Sequence, residues 1–294
     1  MELCIHFPNF TLPGGPEALP GHISATARAA EEGGATTFTF MDHWFQLSSM
    51  GGALNPMMEG YTSLGFVAAR TTRIRLGLLV TGVTYRHPGL LAKTVTTLDV
   101  LSGGRAQLGL GAAWYEREHQ GMGVRYPPVG ERLGRLEETV EIVRQMWSDD
   151  DGPYEGRYYT LAETLCLPQP VSSPAPPLMI AGGGEKRLLR LVARHADACN
   201  LMALGDGGLD EVAHKLRVLD GHCAAVGREP AEVRRTIISD LDPHADPDGF
   251  LRQMEGYAAL GVSQVYVMPF TDDPEGWARR VTDRLVVPLG ELGP

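Results

Sequence analysis

The chain has 294 residues, of which 43% are hydrophobic and 21% charged, and it carries a formal charge of -10 at pH 7. This length and composition are sufficient for one α/β barrel with a large buried core. The acidic balance argues against nucleic acid and anionic membrane surfaces as partners, because both attract basic proteins.

The chain also lacks several signals that would place it in other classes. Its cysteines are far apart and show no C-x-x-C spacing, which is typical of reduced thiols in the cytoplasm. The N-terminus has no basic segment followed by an apolar one, and no stretch reaches the roughly 18 apolar residues of a membrane helix. No set of side chains has metal-ligand spacing. We therefore expect a cytoplasmic protein without a membrane segment or a catalytic metal.

Short apolar runs alternate with longer stretches of helical periodicity, which is the pattern of a parallel sheet with crossover helices. The candidate strands are residues 3–7, 36–41, 73–80, 106–113, 177–182, 198–203, 235–240 and 263–270. Eight strand–helix units predict a single (β/α)8 TIM barrel over residues 1–294, with the active site at the C-terminal ends of the strands. A doubly wound open sheet is the alternative.

Helix signals follow the strands. Ser24 can cap a first helix that ends at Gly33, and Pro88 begins a helix that reaches residue 102. The segment 148–177, between the fourth and fifth strands, is acidic, then aromatic, then rich in proline. Because a single crossover does not need this length, we expect an insertion folded over the barrel mouth.

The side chains that follow the predicted strands are the candidate site residues. They are His6, Phe7, Asp42, His43, Trp44, Thr81, Tyr85, Trp114, Tyr115, Glu116, His119, Asn200, Met202 and Phe270. In "MDHWF", Asp42 could cap a helix while His43 and Trp44 pack a loop. Alternatively, Asp42 could bond a bound ring and His43 could donate a proton, since histidine titrates near neutral pH.

The stretch "AGGGEK" (181–186) presents Gly182, Gly183 and Gly184 before a predicted helix. Free backbone N–H groups at such a position can bind an anion, although a tight turn also needs small residues. Glu185 would repel a phosphate placed nearby. The stretch does not have the G-x-G-x-x-G spacing of the nucleotide-binding fingerprint, which argues against NAD bound in that way.

Four stretches together resemble the bacterial luciferase-like superfamily, particularly the branch that uses the deazaflavin coenzyme F420. They are residues 37–45, 77–119, 127–147 and 180–200. The resemblance implies a TIM barrel with an insertion after the fourth strand, a homodimer, and a (deaza)flavin at the C-terminal mouth. It also implies a cis peptide bond between Leu79 and Val80, with Val80 behind the ring and Thr81 near its central edge.

The same resemblance implies further contacts with the coenzyme. It places Asp42 and His43 against ring and substrate, the segment Gly109, Leu110 and Gly111 along the ring, and Gly182, Gly183 and Gly184 at the phosphate. There is one departure: the sugar-phosphate dehydrogenase of the family has a catalytic glutamate where this chain has Ala112. Glu116 is the nearest carboxylate in the sequence. This departure argues against a sugar-phosphate substrate.

The combined prediction is a reductase that transfers hydride from reduced F420 to an activated C=C or C=N bond of a small organic substrate. His43 is the expected acid, with Asp42 and Glu116 as catalytic partners and Tyr115 and His119 as reserves. The expected substrate wall is Phe7, Trp44, Trp114, Tyr115 and Met202. An F420 reductase would supply electrons. The alternatives are an FMN-dependent monooxygenase fed by a flavin reductase, and a flavin-binding protein without turnover.

Overall fold

The computed structural model describes residues 1–205 and 208–293. Within these residues the strands are β1 (Glu2–Phe7), β2 (Thr37–Phe40), β3 (Arg75–Leu78), β4 (Thr81–Gly82), β5 (Leu108–Gly111), β6 (Tyr154–Glu155), β7 (Thr160–Leu161), β8 (Leu178–Ala181), β9 (Ala198–Ala203), β10 (Arg234–Ser239) and β11 (Val262–Val267). The helices are α1 (Gly15–Glu32), α2 (Gly60–Ala68), α3 (Pro88–Ser102), α4 (Glu116–Met122), α5 (Val129–Met146), α6 (Leu188–His195), α7 (Gly208–Ala225), α8 (Pro247–Ala259) and α9 (Pro274–Glu291).

The main sheet curves into a nearly closed parallel barrel, which confirms the predicted fold class. Its strand order is β3-β2-β1-β11-β10-β9-β8-β5-β4. The predicted third strand is divided: β3 pairs with β2, while β4 pairs with β5. A single parallel bridge between Leu76 and Ala106 brings β3 to the edge of β5. Because β3 and β4 are successive parts of one strand, the barrel has the eight strand positions of the TIM fold.

The first helix begins earlier than the sequence signals indicate. Ser24 was the predicted cap, but it lies inside α1, where its hydroxyl donates to the carbonyl of Gly21 at 3.2 Å. The helix instead begins after Gly14, which has a φ of 85°, and Leu19 already belongs to its buried face. Among the described residues, no helix combines the length and apolar composition of a membrane span.

Alternation along β1 decides which side chains can reach the barrel interior. Leu3, Ile5 and Phe7 pack against the helix layer, whereas Cys4 and His6 point inward. The Phe7 ring lies in a buried aromatic cluster, 5.7 Å from that of Phe10. Phe7 therefore packs the core and does not line the mouth, so its prediction as a substrate contact is wrong.

The segment 148–177 lies along the outside of the barrel and not over its mouth as predicted. Buried Glu138 of α5 accepts hydrogen bonds from the N–H groups of Arg157, Tyr158 and Tyr159, near the short hairpin of β6 and β7. Asp99 of α3 does the same for the later part of the segment. These two carboxylates hold the segment against α3 and α5. The backbone N–H groups of the segment in turn supply the donors that each buried carboxylate needs.

Candidate active site

The strand ends at the barrel mouth bring together the turn after β2, the connection from β3 to β4, and the short helix α4. The peptide bond between Leu79 and Val80 is cis, as predicted. Val80 is only partly buried, and it packs against the cluster of inward-facing side chains. The floor of the mouth is therefore formed in part by this non-proline cis segment.

Glycines of β5 are required by the path of that cis segment. A Cβ atom at Gly109 would lie 2.4 Å from the Leu78 carbonyl oxygen and 2.7 Å from Val80 Cγ1. A Cβ atom at Gly111 would lie 2.9 Å from Val80 Cγ2. Leu110, between them, points away into the core. Gly109 and Gly111 thus allow the segment from Leu78 to Val80 to approach β5 closely.

Thr81 and Asp42 are both buried and already have partners. The Thr81 hydroxyl lies 2.7 Å from the Tyr61 hydroxyl, on the helix side of the strand. The Asp42 carboxylate accepts two hydrogen bonds from the Arg86 guanidinium, at 2.7 and 3.0 Å, and one from the N–H of Gly82. This bidentate pair fixes the turn after β2 to the loop between β4 and α3.

Arg86 also bonds the carboxylate of Glu59, and its guanidinium lies over the Tyr61 ring at 4.8 Å from the centroid. Although burial opposes its charge, the bonds to Asp42 and Glu59 raise the pKa of Arg86 above its ordinary value. The guanidinium is therefore permanently charged and is shared between two carboxylates.

His43 pairs with a carboxylate that the sequence did not indicate. Its Nδ1 lies 2.8 Å from Oε1 of Glu118, which is fully buried. The Tyr85 hydroxyl donates to the same oxygen, and the N–H groups of Trp44 and Phe45 donate to the other one at 2.7 and 3.2 Å. Glu118 therefore joins α4, the loop after β4 and the turn after β2 around the imidazole.

Glu116, the predicted catalytic carboxylate, lies on the opposite side of α4. It is exposed and accepts a hydrogen bond from Gln120 at 2.9 Å. Side chains two residues apart on a helix point in directions that differ by about 200°. One of these glutamates must therefore face outward when the other faces inward. The sequence shows both glutamates but does not show which face of α4 is directed toward His43.

The electrostatics of the Glu118 cluster are dominated by burial and hydrogen bonding. Burial disfavours the ionised carboxylate, but the bonds from His43 and Tyr85 outweigh this effect, and the pKa of Glu118 lies below its ordinary value. Burial and the bond to Glu118 raise the pKa of Tyr85. Glu118 is thus an anion at neutral pH, and Tyr85 is a neutral donor to it.

An ionised acceptor at Nδ1 determines the role that His43 can take. The proton of the neutral imidazole resides on Nδ1, which leaves Nε2 as an acceptor. Among the described residues Nε2 has no hydrogen-bond partner, and the side chain is 12% exposed. His43 can therefore accept a proton at Nε2 or, when protonated, donate one there.

His119, named as a reserve acid, is not available for that purpose. Its ring is buried between the Thr84 hydroxyl, 2.7 Å from Nε2, and the Tyr115 carbonyl, 2.8 Å from Nδ1. The Trp44 ring lies 4.2 Å from that of Tyr85 and 5.5 Å from that of His119. The rings of Trp44, Tyr85 and His119 therefore form one packed layer within the site.

Large apolar side chains remain exposed at the barrel mouth. Trp114 is 61% exposed, Met202 61% and Phe270 54%. The Trp114 ring stacks on Tyr115 at 5.3 Å and meets His43 edge-on at 5.7 Å. The Tyr115 hydroxyl is buried without a partner among the described residues, and its ring lies 5.9 Å from His43.

The glycine loop after β8 lies at the same end of the barrel. Gly182 has a φ of 127°, and the helix predicted after this stretch, α6, begins at Leu188. No backbone carbonyl among the described residues accepts from the N–H of Gly183 or Gly184. Glu185 is bonded by Lys215 at 2.6 Å, so its charge is compensated next to the loop.

Comparisons with known proteins agree with this architecture. The family model for luciferase-like monooxygenases matches residues 1–279. An uncharacterized protein of Mycobacterium tuberculosis (strain H37Rv) is 31% identical over 278 residues, covering 89% of this chain and 93% of that protein. An F420-dependent glucose-6-phosphate dehydrogenase of Kineococcus radiotolerans is 30% identical, covering 83% of this chain and 70% of that protein.

Among solved structures, the coenzyme F420-dependent tetrahydromethanopterin reductase of Methanopyrus kandleri superposes with a TM-score of 0.77 at 18% identity, covering 98% of each chain. This likeness shows a shared fold. Because the family model spans nearly the whole sequence, the chain belongs to the luciferase-like monooxygenase family.

Proposed function

We propose that the chain is an F420-dependent oxidoreductase that acts on a small organic substrate at the C-terminal mouth of the barrel. The observation that carries the proposal is the His43–Glu118 pair at the mouth, in which Nε2 of His43 has no partner among the described residues. The relative of known activity at 30% identity, named as F420-dependent, supports this coenzyme over FMN.

The residues at the mouth fit a flat ring with a phosphate-bearing tail. Leu79 and Val80 form a partly buried apolar surface for the ring, and Gly109 and Gly111 keep that surface accessible by their lack of side chains. The N–H groups of Gly183 and Gly184 have no backbone acceptor within the described part of the chain and suit a phosphate. Asp42 and Thr81 act indirectly, since their polar atoms bond Arg86 and Tyr61.

When bound in its reduced form, F420 supplies hydride, and the chain's own residues supply orientation and the proton. Reduction of an activated C=C or C=N bond adds the hydride to one atom and a proton to the other. Protonated His43 is placed to deliver that proton from Nε2. Glu118 then bonds Nδ1 in both protonation states of the ring, so the imidazole keeps its orientation through the cycle.

Two further parts of the proposal concern partners. A separate F420 reductase would regenerate the reduced coenzyme, because the reduction consumes one hydride per substrate molecule. The chain would also work as a homodimer, as its resemblance to the superfamily implies.

The test is a titration of the purified protein with oxidised F420 and, separately, with FMN, following the fluorescence of each. Micromolar binding of F420 with much weaker binding of FMN is the expected result. Preference for FMN would favour the monooxygenase alternative, and oxygen uptake with reduced FMN would then be measured. Binding of neither coenzyme would contradict the proposal.

A further inference from the structure

We infer that the substrate is an uncharged, largely apolar molecule that carries one carbonyl or hydroxyl oxygen, and that phosphorylated sugars are not substrates. This inference rests on the proposed function, since it concerns the molecule that shares the mouth with the coenzyme. It separates this chain from its relative named for glucose 6-phosphate.

The first support is the surface that surrounds His43. The Trp114 ring is 61% exposed and lies 5.7 Å from the imidazole, and it is stacked on Tyr115. Met202 lies near the end of β9 and Phe270 follows β11, at the same end of the barrel, and both are also more than half exposed. Such side chains gain free energy when an apolar ligand removes them from water, and they provide no hydrogen bonds for sugar hydroxyls.

The second support is the charge next to His43. The site has three carboxylates, Asp42, Glu59 and Glu118, and within residues 1–205 and 208–293 Arg86 is the one guanidinium bonded to any of them. The pKa of Glu59 lies below its ordinary value, because bonds from Thr62 and Arg86 outweigh burial. Even when His43 is protonated, the three carboxylates outnumber the two cations by one, so the cluster would repel a phosphate dianion placed against it.

The third support concerns the polar group that the ligand carries. Two polar atoms near the exposed Trp114 ring have no partner among the described residues: the hydroxyl of Tyr115 and Nε2 of His43. The Tyr115 hydroxyl is buried, whereas the His43 side chain is 12% exposed, so of the two atoms Nε2 is the one that a ligand at the mouth can reach. A ligand oxygen can accept from Nε2 when His43 is protonated. An apolar molecule with one carbonyl or hydroxyl oxygen supplies that acceptor.

The experiment uses the full chain loaded with F420, whose occupancy is first measured by fluorescence polarisation. Saturation-transfer NMR then follows two probes, benzylideneacetone (an uncharged aromatic enone) and glucose 6-phosphate. We expect binding of the enone and none of the sugar phosphate. Trp114→Ala should weaken enone binding about 10-fold, which corresponds to about 1.4 kcal/mol of lost aromatic contact.

Two control variants separate a local effect from a general one. Leu101→Ala removes another exposed apolar side chain, 76% exposed at the far end of α3, and should leave enone binding within about two-fold of the original. Arg117→Ala removes an exposed cation of α4 and should do the same.

The outcomes are distinguishable. Absence of F420 binding overturns the proposed function and this inference with it. If F420 binds, the inference alone is overturned by binding of glucose 6-phosphate, by failure of the enone to bind, or by enone affinity that Trp114→Ala leaves unchanged.

Discussion

The imidazole of His43 and the carboxylate of Glu118 form one hydrogen-bonded pair at 2.8 Å, although 75 residues separate them in the sequence. The pair connects the turn after β2 with α4, two elements that follow different barrel strands. Glu118 does not reach the mouth itself, since it is fully buried and accepts three further hydrogen bonds, from the Tyr85 hydroxyl and from the N–H groups of Trp44 and Phe45. We therefore assign it a positioning role, and His43 the proton transfer.

Replacing His43 tests that proton transfer directly. In His43→Gln, turnover with F420 should fall by roughly 10²–10⁴, because a positioned acid or base contributes about this factor. The dissociation constant for F420, measured by fluorescence, should stay within about three-fold, since the fit of the coenzyme depends on other residues. His244→Gln, on an exposed loop, is the matched control. Unchanged turnover in His43→Gln would remove His43 from the mechanism.

Replacing Glu118 tests orientation. Glu118→Gln keeps an oxygen for the N–H groups of Trp44 and Phe45 but loses the anion that holds Nδ1–H of His43. We expect kcat to fall about 10²-fold with little change in KM, as when an orienting carboxylate is lost from a histidine. Glu118→Asp should recover part of kcat. A rise in KM alone, or no recovery by aspartate, would indicate a merely structural role.

The glycine at position 109 tests the link between the cis segment and the coenzyme. In Gly109→Ala the new methyl group would meet the Leu78 carbonyl oxygen at 2.4 Å, so the segment around Val80 must move. We expect F420 to bind at least about 10-fold more weakly, a loss of about 1.4 kcal/mol. Gly221→Ala is the control, because nothing lies within 4 Å of a Cβ atom there. Equal F420 affinity in the two variants would contradict this account of the site floor.

Much of the barrel could be predicted because strand alternation and helix spacing are local properties. The resemblance to the superfamily also located the cis bond between Leu79 and Val80. The errors concern features that depend on three-dimensional packing. Phe7 is at a strand end, yet alternation turns its ring to the helices, and the side of α4 that faces His43 depends on how that short helix docks.

The segment 148–177 shows the same limit. Its composition indicated an insertion, but its position depends on Asp99 and Glu138, two carboxylates that occur in helices without any distinguishing motif. Only the folded chain shows that they accept backbone N–H groups of this segment. Long-range hydrogen bonds of this kind leave no periodic signal in a sequence.

The ion pair between Arg86 and Asp42 predicts a stability effect. Arg86→Ala would leave the buried Asp42 carboxylate with a single donor among the described residues, the N–H of Gly82, so we expect the free energy of unfolding to fall by about 3–5 kcal/mol. Arg125→Ala breaks an exposed pair with Glu131 and should cost less than about 1 kcal/mol. Urea unfolding at pH 7 measures both. Similar losses in the two variants would show that the buried pair does not fix the turn after β2.

His6 predicts how stability depends on pH. It is buried in the barrel beside the Thr39 hydroxyl, and burial, assisted by the nearby His43, lowers its pKa from 6.5 to about 3. Below pH 6.5 the unfolded chain therefore takes up a proton that the native chain does not, and the free energy of unfolding falls as the pH is lowered. The contribution of His6 between pH 7 and 5 is about 2 kcal/mol.

The variant His6→Asn retains an amide that can bond Thr39 but cannot take up the proton, so it should lose about 2 kcal/mol less than the original chain between pH 7 and 5. Urea unfolding at the two pH values measures the difference. Between pH 7 and 8 both proteins should behave alike, because neutral His6 then has the same protonation in the native and unfolded chains. An identical loss of stability in both proteins below pH 6.5 would show that His6 accepts a proton within the native barrel.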